Sequence, residues 1–176
     1  MNNENTINMD NFFPESDYKV PETSNYMKLK TEGAHKFRVL SSAIVGYEYF
    51  NTNNEPVRSK EIFDETPDIK KDGRVNHFWS FVVWNYEAER VQILEITQKS
   101  IQQQMKAYID NPDWGSPKGY DITINRKGTT KNDTEYTVTP SPHKPVDQKI
   151  VDKFTSMKID LNALYVNGDP FKVDKE

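Results

Sequence analysis

The chain has 176 residues, 28% of them charged and 12% aromatic, with no cysteine. It is long enough for one domain, and it can form neither a disulfide nor a thiolate metal site. Its net charge of −4 is uneven, because residues 1–25 carry −4, residues 26–144 carry +1 and residues 145–176 carry −1. The central region therefore lacks the strong basic field of a tight, non-specific duplex binder, and any nucleic-acid site there has to be a local cluster.

The first 25 residues are rich in Asn, Glu and Ser, and we expect a flexible arm. Its apolar pair, Phe12 and Phe13, either frays with the arm or docks on the domain or a partner. The arm has neither the basic start nor the apolar run of a signal peptide, and no apolar run approaches the roughly 20 residues that span a bilayer. The sequence therefore predicts a cytosolic protein without membrane contact.

The first predicted strands precede a long polar connection. Tyr26–Lys30 alternates as a short strand, and His35–Phe50 continues as a long one. Gly46 inside the long strand indicates a bulge or a sharp bend. Residues 51–75 then form a polar connection, and a loop of that length is usually functional or mobile.

A hairpin followed by a helix is the most strongly patterned part of the chain. Residues His77–Tyr86 are dense in aromatic and β-branched side chains, which favours a strand, and Arg90–Ile96 predicts the returning strand after a short turn. The following apolar residues recur with the helical period: Ile101, Met105, Tyr108 and Ile109. Thr97 or Ser100 is the expected N-cap, and the helix is expected to end at Asn111 before a proline.

The last part of the predicted domain is a second hairpin. Tyr120–Arg126 and Thr134–Thr139 are its strands, and three prolines between residues 140 and 145 stop the sheet. Beyond them, a weak helical stripe predicts one short helix, and Asp160–Tyr165 predicts another with Asp160 as its N-cap.

Five strands with one helix between the third and fourth predict a mainly β fold, the five-stranded Greek-key oligonucleotide-binding (OB-fold) barrel. An SH3-like barrel lacks the long helix, and a β-sandwich usually has more strands. The predicted organisation is a flexible arm at residues 1–25, the barrel at residues 26–145 and a C-terminal extension with short helices at residues 146–176.

The predicted barrel region contains the segments YMKLKTEGAHKFRVLSSAIVGYEYF, PVRSKEIF, HFWSFVVWNY, VQILEITQKSIQ, DWGSPKGYDITINRKG and YTVTPSPHKP. These segments resemble single-stranded DNA-binding proteins of tailed bacteriophages. The resemblance implies an oligonucleotide-binding barrel that coats exposed DNA during phage replication and recombination, without catalysis, in the cytoplasm of the infected bacterium. Better-known phage proteins of this kind carry a cysteine-bound zinc, and since this chain has no cysteine, no zinc or other cofactor is expected.

The C-terminal extension bears on possible protein partners. Gly168–Phe171 resembles the acidic tip ending in phenylalanine through which bacterial relatives recruit replication proteins. Here Lys172–Glu176 follow that tip, so recruitment of phage replication proteins through the extension stays open.

Binding single strands without sequence preference requires aromatic faces that stack on bases and cations that hold phosphates. Trp79 and Trp84 lie on opposite faces of their strand, so one of them is expected to face a groove. We select Trp79, which shares its face with His77 and Phe81. An ordinary core tryptophan and a structural histidine are the alternatives for these positions.

The remaining candidates are two tyrosines near the mouth of the long connection and four cations: Tyr47, Tyr49, Lys36, Arg38, Arg58 and Lys60. Lys36 and Arg38 share one strand face, whereas Arg58 and Lys60 lie in the connection and are expected to close over a bound strand. Each of these cations is also compatible with an ordinary solvated surface charge.

The sequence does not favour an enzyme. It contains no P-loop, no G-x-G-x-x-G and no H-E-x-x-H motif, and its three histidines are far apart without a nucleophile signature around them. We therefore expect binding without catalysis. The alternative function is a protein-interaction module on the same barrel, or a phage accessory protein without DNA binding, and the nearly neutral central region is compatible with it.

Overall fold

The structure, a computed structural model, describes residue 10, residues 12–21 and residues 23–172. Within these residues the fold is mainly β, which confirms the predicted class: one open, mixed sheet of eight strands carries two α-helices and two short 3₁₀ helices. The strands are β1 Tyr26–Met27, β2 Gly33–Val39, β3 Ile44–Phe50, β4 Pro56–Ser59, β5 Asn76–Asn85, β6 Arg90–Ile96, β7 Asp121–Lys127 and β8 Glu135–Pro140. The helices are α1 Lys99–Asp110 and α2 Gln148–Met157, with 3₁₀ helices at Pro117–Gly119 and Leu161–Val166.

Strand β5 is the centre of the sheet. It pairs antiparallel with β6 on one side and with both β2 and β3 on the other. The sheet continues antiparallel from β2 to β7 and from β7 to β8, while β4 pairs with β3. The far edge of β6 pairs in parallel with the two-residue β1, and no ladder joins β6 to β8 within residues 23–172. The sheet therefore has a seam between β6 and β8 and is not a closed barrel.

The predicted long strand His35–Phe50 is interrupted at residues 40–43, and the pairing of β3 with β5 continues through Gly46 without the predicted bulge. The interruption stays attached to β5, because Leu40 donates its N–H to the Val82 carbonyl and Ser41 Oγ accepts the Val82 N–H, both at 2.8 Å. Gly46 is needed for close packing, since a Cβ there would lie 2.2 Å from the Ser59 carbonyl oxygen. The glycine thus admits β4, a strand that was not predicted within the polar connection.

The main core lies between the inner face of the sheet and helix α1, where Phe37, Phe81, Leu94, Ile101 and Met105 are among its buried residues. The predicted N-caps Thr97 and Ser100 are wrong, because Gln98 is the N-cap and its side chain makes no capping hydrogen bond. The start of α1 is instead held by the buried amide of Gln102, which donates to the carbonyls of His77 and Ile96, each at 3.0 Å.

A second apolar cluster lies on the outer face of β5 and β6, where the C-terminal extension covers Val82, Val91 and Ile93 with Leu161 and Leu164. The two short helices predicted for the extension are both present. The predicted N-cap of the second is confirmed, because the side chain of Asp160 accepts the N–H of Asn162 at 3.0 Å. The extension up to residue 172 therefore packs on the sheet; residues 173–176 lie outside the described part.

The predicted flexible arm falls partly outside the described residues, since residues 1–9, 11 and 22 are not among them. In the described part, Phe12 and Phe13 are exposed, and the ring of Phe13 stacks on Tyr18 with centroids 4.5 Å apart. No helix among the described residues combines the length and apolar character needed to cross a bilayer.

Candidate nucleic-acid interface

Three of the predicted contact residues are buried: Arg38 is 1% exposed, Phe81 2% and Tyr49 5%. Phe81 belongs to the main core, Arg38 Nε donates to Asp121 Oδ1 at 2.8 Å, and the Tyr49 hydroxyl donates to Asp68 at 2.6 Å. A buried ring cannot stack on a base, and a buried guanidinium held by a carboxylate does not reach a phosphate. The prediction that these three residues contact DNA is therefore wrong, and their roles are structural.

The predicted residues Tyr47, His77 and Trp79 lie on one face of the sheet. Tyr47 and His77 are cross-strand partners whose ring centroids are 5.2 Å apart. Trp79 is half-buried against the main core and lines an apolar cavity of about 270 Å³ between β5 and α1. Lys118 is the one cation among the residues lining that cavity, so this face offers rings but little to hold a row of phosphates.

Arg58 lies in β4, where its side chain is 10% exposed and bridges two acids, Glu48 at 3.1 Å and Glu95 at 3.0 Å. Burial, together with a hydrogen bond and the charge of the Glu95 carboxyl, raises the pKa of Glu48 to about 8, although the Arg58 guanidinium opposes this shift. Glu48 therefore keeps a proton at neutral pH. The Arg58 cluster, formed by Glu48, Arg58 and Glu95, then carries one negative and one positive charge and is neutral.

Two of the predicted cations are exposed, and each lies next to a tyrosine ring. Lys60 Nζ is 5.3 Å from the ring centroid of Tyr165 in the C-terminal extension. Lys36 Nζ is 5.0 Å from the ring centroid of Tyr86 and 3.7 Å from Asp121 Oδ2. The prediction thus identified two accessible cations, but on surfaces different from the face of Trp79.

Two clefts meet at β1 and form a continuous surface. One, of about 630 Å³, lies between β4 and the C-terminal extension, and the other, of about 220 Å³, lies in the seam between β6 and β8. Both clefts are lined by Tyr26, Lys28 and Glu95, and these shared residues make the two clefts one continuous surface. We call the joined surface the seam track, and its aromatic and basic residues are Tyr26, Lys28, Lys30, Phe50, Arg58, Arg126 and Tyr136.

Every aromatic ring of the seam track has a cation beside it: Lys70 Nζ lies 5.5 Å from the centroid of Phe50, Lys28 Nζ 5.7 Å from Tyr26, and Arg126 Cζ 5.9 Å from Tyr136. Phe50 is 37% exposed, and the two tyrosines are half-buried. The track also contains two acids, of which Glu95 is paired with Arg58. The surface therefore alternates accessible rings with positive charge.

The sequence prediction did not include the three rings of the seam track, because the aromatic density of the hairpin indicated its tryptophans instead. A signal for one pair was present, since Tyr26 and Lys28 are two residues apart in an extended segment and so point to the same side. No sequence pattern indicates that Phe50, Tyr26 and Tyr136 lie on one surface, because they belong to strands that are distant in sequence.

Comparison of the chain with protein-family models, with curated proteins and with solved structures finds no match. The function therefore has to be inferred from the geometry of the seam track and its surroundings.

Proposed function

We propose that this chain binds single-stranded DNA, without sequence preference and without catalysis, along the seam track. The observation that carries the proposal is the row of three rings, each with a cation at 5.5–5.9 Å, on one continuous surface. Rings stack on bases of any identity, and the neighbouring cations contact the phosphates between those bases. Replication or recombination of phage DNA in the bacterial cytoplasm is the setting implied by the resemblance.

The strand connectivity supports the proposal of a partly open oligonucleotide-binding barrel. When β2 and β3 are counted as one bent strand, the order along the chain is that strand, β5, β6, helix α1, β7 and β8. The bent strand pairs with both β5 and β7, β5 pairs with β6, and β7 pairs with β8. The short strands β1 and β4 are additions to this arrangement.

The position of the seam track also supports the proposal. In oligonucleotide-binding barrels the ligand crosses the second and third strands between the loop joining strands one and two and the loop joining strands four and five. The corresponding loops here span residues 51–75 and residues 128–134. The seam track runs from Phe50, at the base of the first loop, to Arg126 and Tyr136, at the base of the second.

The C-terminal extension restricts where a strand can lie. It covers the outer face of β5 and β6 at Val82, Val91 and Ile93, while Leu164, Asn167 and Gly168 line one wall of the larger cleft. The covered patch is closed to bases, and the seam track beside it remains open.

The test is fluorescence anisotropy of a labelled oligo-dT, because none of the three tryptophans lines either cleft of the track. We expect wild-type affinity to fall as salt rises. Phe50→Leu keeps an apolar side chain but removes the stacking ring, so it is expected to weaken binding about 5- to 150-fold, which corresponds to the about 1–3 kcal/mol of one stacked base. Lys28→Gln with Lys30→Gln is expected to reduce the salt slope by about 1.4, at about 0.7 for each lost phosphate contact.

The matched control is Tyr47→Leu, which removes a half-buried ring from the face of Trp79 and is expected to leave binding unchanged. A loss of affinity in Tyr47→Leu but not in Phe50→Leu would move the site to the face of Trp79. No anisotropy change with wild-type protein at high micromolar concentration would overturn DNA binding and favour the protein-interaction module.

A further inference from the structure

A buried carboxylate at the start of β7 gathers three cations around it. Asp121 is fully buried, and its oxygens lie 2.8 Å from Arg38 Nε, 3.1 Å from Lys144 Nζ and 3.7 Å from Lys36 Nζ. The hydroxyl of Tyr86 donates to the same oxygen as Arg38, at 2.7 Å. One carboxylate thus faces three cations, which leaves two positive charges in excess.

The cluster is held rigidly on its inner side. Burial disfavours the charged carboxylate, yet the contacts with Tyr86, Arg38 and Lys144 hold the pKa of Asp121 below its usual value, so it is ionised at neutral pH. Arg38 also donates to the carbonyls of Lys118 at 3.3 Å and Lys144 at 2.8 Å, which fixes the chain beside the cluster.

The excess charge reaches solvent through the two lysines. The side chains of Lys36 and Lys144 are 46% and 54% exposed, whereas the side chain of Arg38 is 1% exposed. Both ammonium groups lie at ion-pair distance from the same oxygen of Asp121, so they stand side by side at the surface. Two adjacent, exposed ammonium groups therefore present positive charge to solvent, which is the complement of a nucleic-acid phosphate.

Aromatic rings flank this site on the outer face of the sheet. Lys36 lies beside Tyr86, and Lys153 of α2 lies 5.8 Å from the ring centroid of Trp84. Trp84 is the cross-strand partner of Arg38 and is half-buried. We call this surface the Asp121 patch, and its exposed or half-buried members are Lys36, Trp84, Tyr86, Lys144 and Lys153.

The Asp121 patch and the seam track meet different parts of the C-terminal extension. Helix α2 contacts the patch through Lys153 at Trp84, whereas Leu164 and Asn167, farther along the extension, line the seam track. The two surfaces therefore have the same combination of rings and cations, with the extension between them.

We propose that the Asp121 patch is a second contact surface for single-stranded DNA, so that a strand longer than the seam track engages both surfaces. This inference rests on the proposed function. A phosphate lies between the ammonium groups of Lys36 and Lys144, and neighbouring bases lie against Tyr86 and Trp84. Arg38 and Asp121 position the two lysines and do not touch the DNA.

The test compares two labelled strands, one of about 8 nucleotides, which the seam track can hold alone, and one of about 30 nucleotides. Lys36→Gln with Lys144→Gln removes the one phosphate contact of the patch, so it is expected to reduce the salt slope for the long strand by about 0.7 and to leave the short strand unchanged. Arg74→Gln with Lys106→Gln removes the same charge from exposed residues that line neither surface, and it is expected to change neither slope.

A second variant covers the case in which the double substitution perturbs folding. Thr123 is the cross-strand partner of Lys36, so Thr123→Glu places a carboxylate beside the patch while both lysines remain. It is expected to weaken binding of the long strand selectively.

The outcomes separate the two proposals. If both patch variants bind the long strand with wild-type affinity and slope while Phe50→Leu weakens the short strand, the second surface is overturned and the proposed function stands. If wild-type protein binds neither strand, both are overturned.

Discussion

The Arg58 cluster is neutral, whereas the Asp121 patch carries an excess of positive charge. The first places two carboxyl groups around one guanidinium, and the second places three cations around one carboxylate. The excess acid of the first is neutralised by the proton that Glu48 retains, while the excess cations of the second extend to solvent on flexible lysine side chains. A domain that is nearly neutral by count can therefore present a local basic surface where a buried carboxylate, such as Asp121, has more cations around it than it neutralises.

The largest effect is expected from removing the buried carboxylate at the centre of the Asp121 patch. Asp121→Asn leaves the guanidinium of Arg38 buried without its counter-ion, so the free energy of unfolding is expected to fall by about 3–5 kcal/mol. Urea denaturation measures this loss in the free energy of unfolding. Asp110→Asn, which removes an exposed ion pair with Lys106, is the control and is expected to cost less than about 1 kcal/mol. Equal, small losses in both variants would show that the buried pair does not support the fold.

A smaller effect tests whether the extension between the two surfaces belongs to the folded unit. Leu164 is buried in the outer cluster, so Leu164→Ala is expected to lower the free energy of unfolding by about 2 kcal/mol. Val166→Ala, at an exposed position of the same 3₁₀ helix, is the control and should have little effect. An unfolding midpoint unchanged by Leu164→Ala would mean that the extension detaches from the sheet.

The Arg58 cluster predicts a pH dependence. The folded pKa of Glu48, about 8, lies above its ordinary value of 4.5, so the folded state holds a proton that the unfolded state releases between these values. The stability that this proton contributes is complete below the ordinary pKa and is lost as pH rises through the folded pKa. Wild-type protein is therefore expected to lose stability from about pH 5 to about pH 8 relative to Glu48→Gln, which lacks this titration. Parallel pH profiles of urea unfolding would contradict the assignment.

The smallest expected effect concerns the cation beside one ring of the seam track. Lys70→Gln removes the ammonium group beside Phe50 and with it one expected phosphate contact, so the salt slope for oligo-dT is expected to fall by about 0.7. Lys71→Gln, at the neighbouring exposed lysine, is the matched control. Equal changes in both variants would indicate a general effect of net charge rather than a contact beside the ring.

Local pattern predicted the elements of this fold but not their partners. The strand Arg90–Ile96 was predicted with its observed bounds, and helix α1 was recognised from the period of its apolar residues, because both signals lie within a few residues. The interruption at residues 40–43 was missed, since a backbone attached to β5 through Ser41 leaves no mark on the alternation of side chains.

The candidate site depended on long-range placement. Arg38 and Asp121 are 83 residues apart, and Arg58 and Glu95 are 37 residues apart, so single-sequence periodicity could not show that these charges are buried together. For the same reason Arg38 was predicted as an accessible cation. The rings of the seam track come from β1, β3 and β8, which do not pair with one another, so no local pattern could show that they lie on one surface.

The central claim, that single-stranded DNA lies along the seam track, is tested most directly by photo-cross-linking of an iodouracil oligonucleotide followed by mass spectrometry of the cross-linked peptides. The account predicts adducts at Phe50, Tyr26 or Tyr136. Adducts confined to Tyr47, His77 or Trp79, or no adducts at saturating DNA, would contradict it.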